Sequence, residues 1–149
     1  MVKMAMSKPF AVRANGTHVF PLRVYYEDTD AAGIVYYANY LRFAERARTE
    51  MLREAGIGQT ELAAHDGLMF AVRRCEVDFL KPARLDDALE VHTRVLAARG
   101  ARVEAEQVVK RAGDEIARMK VEIACVDRAG RPARLPGKIS AAFAPSSEH

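Results

Sequence analysis

The chain has 149 residues, of which half are apolar and 29% are charged, so it fits one compact domain with a buried core. Its 23 basic and 20 acidic residues leave a net charge of +3, and the scatter of the basic residues argues against a nucleic-acid-binding surface. There is no apolar run of the ~20 residues that span a bilayer and no secretory signal pattern, and two cysteines are too few for a disulfide scaffold or a cysteine-based zinc cluster. We therefore expect a cytoplasmic protein.

The two ends of the chain lack the periodic patterns of folded elements. Residues 1–17 mix methionine, lysine, proline and alanine without a period, which predicts a flexible tail. Residues 146–149 form a second, short tail. The predicted domain is therefore a single unit over 18–145.

The first half of the domain contains one strand and one long helix. A strand is predicted over 18–26, and an acidic loop that ends in a glycine follows it over 27–33. From Tyr40 onward, apolar residues recur at intervals of three and four, which predicts a helix that ends at Gly56. A shorter helical segment is predicted over 59–65.

The second half alternates apolar and polar residues with a period of two, which predicts β-strands joined by short turns. These strands are predicted over 74–79, 89–95, 102–111 and 119–125, with a last short strand over 139–143. Consecutive hairpins predict an antiparallel sheet, and one helix must cover its apolar face. The predicted fold class is α+β, a curved antiparallel sheet around one long central helix, and the incompletely covered sheet favours pairing with another copy.

One long motif spans the loop and the start of the helix. Residues 25–43 read YYEDTDAAGIVYYANYLRF, and residues 45–50 continue as ERARTE. This motif closely resembles the signature of the 4-hydroxybenzoyl-CoA thioesterase-like hotdog family, and it is nearest to the YbgC-type acyl-CoA thioesterases associated with the bacterial Tol–Pal system. The resemblance extends over nearly the whole chain, through 71–73, Phe79, 82–87, 99–100 and 132–136. It implies the hotdog fold, a homodimer or homotetramer, and hydrolysis of an acyl-CoA to a free acid and coenzyme A.

The resemblance implies a catalytic role for Asp30, in the loop before the long helix. Its carboxylate would attack the thioester directly or deprotonate a water molecule. Amides at a helix N-terminus have no intrahelical partner and carry partial positive charge, and the resemblance points to the backbone N–H near Tyr37 as the oxyanion donor. Many relatives have a histidine where this chain has Tyr37, and tyrosine is a much weaker base at neutral pH. Asp28 is interpreted as structural, since aspartate is common in turns.

The substrate-binding residues are also predicted with the help of the resemblance. Those expected at the acyl group are Gly33, Val35, Phe70 and Val72. Arg99 and Arg102, at a predicted turn, are expected to bind the phosphates of coenzyme A, with Arg134 and Lys138 as further candidates. Glu45 and Arg48 lie three residues apart on the helix and are interpreted as a structural polar pair, bound to each other or to the sheet. No metal or organic cofactor is required, because coenzyme A is part of the substrate.

Two other functions fit the same fold. One is a non-catalytic acyl-thioester-binding protein or scaffold of the cell envelope or lipid synthesis. Such a protein would not need Asp30, which argues against this function, whereas Tyr37 in place of histidine argues for it. The other is hydration of an enoyl thioester. Enzymes that catalyse this reaction usually pair an aspartate with a histidine in another motif, which this sequence lacks. The acyl class stays open between short aliphatic, hydroxylated, aromatic and long chains, and acyl carrier protein is an alternative carrier to coenzyme A.

Overall fold

The computed structural model describes residues 16–143 and contains one five-stranded antiparallel sheet. The strands are β1 (His18–Arg23), β2 (Met69–Phe79), β3 (Ala88–Arg99), β4 (Arg102–Arg111) and β5 (Asp114–Val126). Their order across the sheet is β1-β3-β4-β5-β2. The sheet curves around a long helix, so the predicted α+β hotdog fold is confirmed.

The strand order differs in one respect from a simple series of hairpins. Strands β3, β4 and β5 are joined by tight turns, as predicted, but β1 pairs with β3 and β2 pairs with β5. Through the loop 80–87 the chain therefore passes from the edge strand β2 across β5 and β4 to β3, the neighbour of the other edge strand, β1. A period-two pattern shows which face of a strand is apolar, but it does not identify the strand's partner.

The long helix α1 (Asn39–Glu54) lies against the concave face of the sheet. Its apolar positions recur at helical spacing and are buried in the core: Tyr40, Phe43, Ala44, Ala47 and Leu52. Gly56 follows with a φ of +83°, a left-handed conformation that glycine adopts without steric cost. The predicted helix and its termination are both confirmed.

Two other predicted elements are different in the structure. The first strand ends at Arg23 instead of residue 26, because Tyr26–Asp28 forms a 3₁₀ turn. The strand predicted over 139–143 is wrong, because Gly137–Ala142 forms a short helix, α3. Ile139 and Phe143 are four residues apart and both buried, which is the spacing of one helical face.

The remaining helical segment, α2 (Gln59–Glu61), continues into a π-helical turn over Leu62–Asp66. Most of the predicted tails, 1–17 and 146–149, lies outside the described residues; Thr17, which was assigned to the first tail, is buried. Within the described chain, none of the helices combines the length and the apolar character needed to cross a bilayer.

Candidate active site

Asp30 lies in a tight loop between β1 and α1. Its Oδ1 accepts a hydrogen bond from the Ala32 N–H at 2.9 Å, and its backbone carbonyl accepts one from the Gly33 N–H at 3.0 Å. Gly33 has a φ of +81°, so the tight turn requires a left-handed conformation, which glycine adopts without steric cost. The carboxylate of Asp30 is exposed at the surface of the chain.

Asp28, two residues earlier, has a different environment. It is 4% exposed, and its two oxygens accept hydrogen bonds from the Tyr25 N–H at 2.8 Å and from Asn39 Nδ2 at 2.9 Å. Both oxygens are therefore occupied by groups that fix the loop and the first residue of α1. This agrees with the structural role predicted for Asp28.

The start of α1 is held against the Asp30 loop by backbone contacts. The Tyr36 N–H donates to the Asp28 carbonyl at 2.9 Å, and Thr29 and Val35 form an antiparallel bridge, so the loop folds back on itself. The N–H groups of Tyr37 and Ala38 precede the first helical turn and donate to no acceptor in the described part of the chain. They are therefore available to an oxygen atom bound at this helix end.

The ring of Tyr37 extends away from the loop and is 62% exposed. It packs edge-on against Phe79, at the end of β2, with 5.8 Å between ring centroids, and lies 5.1 Å from the ring of Tyr36. Val35, expected at the acyl group, is 3% exposed and belongs to the hydrophobic core. Its N–H donates to the Ala83 carbonyl at 2.8 Å, which ties this loop to the loop that follows β2.

A cavity of about 390 Å³ lies between one flank of α1 and the sheet. Phe70 and Val72 of β2, which are predicted to contact the acyl group, both line this cavity, and Val72 is half exposed. Its walls are mostly apolar, and the other residues on its sheet side are Cys75, Val95, Val103, Ala105, Met119, Val121 and Ile123.

A buried polar chain crosses the wall of this cavity. Arg48 Nη1 donates to Gln107 Oε1 at 2.9 Å, and Gln107 Nε2 donates to the Ala44 carbonyl at 3.0 Å and to Thr93 Oγ1 at 2.9 Å. Gln107 and Thr93 are fully buried on the concave face of the sheet. Burial lowers the pKa of the Arg48 guanidinium, and nearby Glu45 opposes this.

The sequence analysis expected Arg48 to pair with Glu45 or with the sheet, and the hydrogen bond goes to the sheet. It did not single out Gln107, although a signal was present. Gln107 occupies an apolar position in the alternation of β4, next to Ala105 and Val109. A polar side chain at such a position is rarely tolerated without partners.

The two cysteines differ in accessibility. Cys125 is fully buried, whereas Cys75 is half-buried and lines the cavity. The alternation of the strands predicted burial for both cysteines. Burial raises the pKa of each thiol, so neither is readily ionised at neutral pH. Residues 16–143 hold no group of three or more side chains placed to ligate a metal ion.

The two arginines expected to bind coenzyme A do not lie near Asp30 in the same chain. Arg99 ends β3 and faces Arg102, which begins β4 and forms an ion pair with Glu122 at 2.9 Å. The loop that contacts the Asp30 segment joins the opposite end of β3, roughly 36 Å away for a strand of this length. Leu135 N–H donates to the Gly100 carbonyl at 2.8 Å, so neighbouring Arg134 lies at the same distant turn.

Comparison with known proteins identifies similar sequences and folds. The family model of the thioesterase-like superfamily matches residues 24–143. Acyl-CoA thioesterase YbgC of Haemophilus influenzae is 44% identical over 125 residues, which cover 83% of this chain and 92% of that protein. Acyl-CoA thioester hydrolase YbgC of Escherichia coli O157:H7 is 44% identical over 126 residues, covering 83% and 93%. A probable thioesterase from Bartonella henselae superposes with a TM-score of 0.78 at 43% identity, over 80% of this chain and 99% of that one.

Proposed function

Because the chain belongs to the thioesterase-like superfamily and is a thioester hydrolase, we propose that it hydrolyses acyl-CoA with Asp30 as its catalytic carboxylate. The relatives of similar length are named acyl-CoA thioesterases or thioester hydrolases. The observation that carries the proposal is the folded-back loop that joins an exposed Asp30 carboxylate to two backbone N–H groups, those of Tyr37 and Ala38, which have no acceptor within residues 16–143.

The helix start supplies the electrostatic part of the proposed mechanism. A thioester carbonyl bound at the Tyr37 N–H gains stabilisation as its oxygen becomes negatively charged, since the helix end carries partial positive charge. Losing one donor of this kind typically raises the barrier by about 3–4 kcal/mol. Tyr37 contributes its backbone N–H, and its ring packs against Phe79.

Asp30 supplies the carboxylate in either of two ways. As a nucleophile it forms an acyl anhydride and expels the coenzyme A thiolate, and water then cleaves the anhydride. As a general base it takes a proton from a water molecule, which attacks the thioester carbonyl. Both routes yield the free acid and coenzyme A. In contrast to Asp28, whose oxygens hold Tyr25 and Asn39, Asp30 keeps one oxygen free of hydrogen bonds within residues 16–143.

The distance between Asp30 and the two arginines supports a site completed by a second copy. Strand β2 lies at the edge of the sheet, and Met69, Val72 and Phe79 on it are about half exposed. Antiparallel pairing of two β2 strands would place the far end of one copy beside the Asp30 end of the other. Arg102 of the second copy would then lie three strand spacings away, on the order of 15 Å, within reach of the long arm of coenzyme A.

Thiol release from a panel of acyl-CoA and acyl-carrier-protein thioesters tests this function. Wild type is compared with Asp30→Asn and with Glu27→Gln, which changes an exposed carboxylate of the same loop. We expect turnover by wild type and Glu27→Gln, and a loss of at least 100-fold in Asp30→Asn with an unchanged melting temperature. Retained turnover in Asp30→Asn would exclude Asp30 as the catalytic group. No turnover by a folded wild type that binds coenzyme A would support the scaffold alternative.

A further inference from the structure

The cavity beneath α1 has mostly apolar walls, but Arg42, Glu45 and Arg48 also line it, and the donors of Arg48 are only partly satisfied. A guanidinium group has five N–H donors in a fixed plane. Within residues 16–143 the hydrogen bond to Gln107 is the one that Arg48 makes. Glu45, three residues before Arg48 on α1, is exposed and lines the same cavity, but it forms no hydrogen bond to Arg48 within that part of the chain.

We propose that this cavity binds the acyl group of the substrate, and that Arg48 binds a carboxylate at the far end of that group. The proposed substrates are therefore medium-chain dicarboxylic acids linked through one end to coenzyme A. This inference rests on the proposed function, because it concerns the specificity of the same reaction.

The hydrogen bonds around Gln107 favour a fixed position for the guanidinium. The Gln107 amide nitrogen donates both to Thr93 Oγ1 and to the Ala44 carbonyl, so the amide oxygen that accepts from Arg48 cannot turn away without breaking both bonds. A fixed, partly desolvated arginine loses little further entropy when it binds a ligand. The planar fork of the remaining donors matches the two oxygens of a carboxylate.

The chemistry of the wall favours an aliphatic chain that ends in a charge. The cavity walls are mostly apolar, and Phe70, Val72 and Met119 are among its lining residues, which suits methylene groups. A wholly apolar acyl group would fill the cavity and leave the remaining N–H donors of the partly buried Arg48 without acceptors, which is costly. A terminal carboxylate supplies those acceptors.

The geometry of α1 sets the length of the acyl group. Gln107 binds both Arg48 and the Ala44 carbonyl, so the guanidinium lies near the level of Ala44. Ala44 is seven residues beyond Tyr37, about 10 Å along the helix axis. An extended chain advances about 1.2 Å per bond, which corresponds to an acyl group of about eight carbons. Leu41 lines the cavity between these two points.

The test compares octanoyl-CoA with octanedioyl-CoA, which differ only in the terminal group. The measured quantity is the ratio of their kcat/KM values, which does not depend on the fraction of folded enzyme. We expect wild type to favour octanedioyl-CoA at least tenfold and Arg48→Met to favour octanoyl-CoA. Arg48→Lys keeps the charge without the fork and should give an intermediate ratio. Arg46→Met is the control, because Arg46 lies over the Phe43 ring outside the cavity lining and should leave the ratio unchanged.

The outcomes separate this inference from the proposed function. If wild type hydrolyses octanoyl-CoA as well as or better than octanedioyl-CoA, the terminal carboxylate is not recognised and the inference is wrong, while the thioesterase function stands. If butyryl-CoA is hydrolysed and neither eight-carbon substrate is, the cavity does not take the acyl group. If Arg46→Met changes the ratio as much as Arg48→Met does, the change results from removing any positive charge on α1 and not from Arg48 in the cavity, and the inference is wrong. Failure to hydrolyse any acyl-CoA would overturn both proposals.

Discussion

Asp28 and Asn39 are joined by a buried side-chain hydrogen bond of 2.9 Å, which links the loop after β1 to the first residue of α1. The second oxygen of Asp28 accepts the Tyr25 N–H at 2.8 Å. The two aspartates of the motif are therefore unequal: Asp28 is buried and shapes the loop, whereas Asp30 is exposed within it. Mutating them should have separable effects on stability and on chemistry.

We expect Asp28→Ala to lower the free energy of unfolding by about 1–3 kcal/mol, because it leaves the buried Asn39 amide without its acceptor. Urea unfolding followed by circular dichroism measures this, and Asn39→Ala completes a double-mutant cycle. The two substitutions should be less than additive, since they remove the same bond. Additive losses would mean that the bond contributes nothing to stability.

Substituting the distant arginines should affect binding of coenzyme A more than chemistry. We expect Arg99→Ala and Arg102→Ala each to raise KM for acyl-CoA while kcat changes little, because phosphates of coenzyme A bind away from the reacting carbonyl. Steady-state kinetics with one acyl-CoA measure both constants, and Arg131→Ala, an exposed arginine bound to Asp127, is the control. An unchanged KM in both variants would remove these residues from the binding site.

The exposed edge of β2 should form an interface between copies of the chain. Light scattering is expected to give the mass of a dimer or a tetramer. Val72→Lys places a charge on this half-exposed, apolar edge strand and should shift the protein toward a monomer. The same substitution should lower turnover, since each proposed site draws on both copies. A stable wild-type monomer with full activity would contradict this arrangement.

Stability should fall as the solution becomes mildly acidic, because of His18. Burial lowers the pKa of His18 from 6.5, and the negative charge of Glu50 only partly offsets this. Below pH 6.5 the unfolded chain therefore binds a proton that the folded chain excludes, so the free energy of unfolding decreases as the pH falls through this window. Urea unfolding at pH 7.5 and 5.5 should show a smaller decrease in the free energy of unfolding for His18→Gln than for wild type.

The sequence was a good guide wherever local periodicity decides the structure. Helix α1 was predicted because its apolar residues repeat at helical spacing and Gly56 follows it, and both features persist in the fold. The prediction for residues 139–143 was wrong because five residues with two large apolar side chains fit a strand or a helix equally well. In the fold Phe143 packs against Phe70, and this contact favours the helix, in which Ile139 and Phe143 lie on one buried face.

Features that depend on distant contacts were harder to predict. The pairing of β2 with β5 sets which residues share an end of the sheet, and it separates Arg99 from Asp30. The position of Asp30 before a helix was visible in the sequence, whereas the contact of Arg48 with Gln107 joins residues 59 positions apart. Such contacts require the register of the whole sheet, which no local pattern provides.

The order of the strands has a consequence for synthesis of the chain. β1, the Asp30 loop and α1 leave the ribosome first, yet the partner of β1 is β3, and His18 pairs with Thr93 far downstream. The apolar face of α1, with Phe43 and Ala47, therefore stays uncovered until β3, β4 and β5 have been translated and can form their hairpins. The segment that carries the proposed chemistry is thus among the first to be made and among the last to be enclosed.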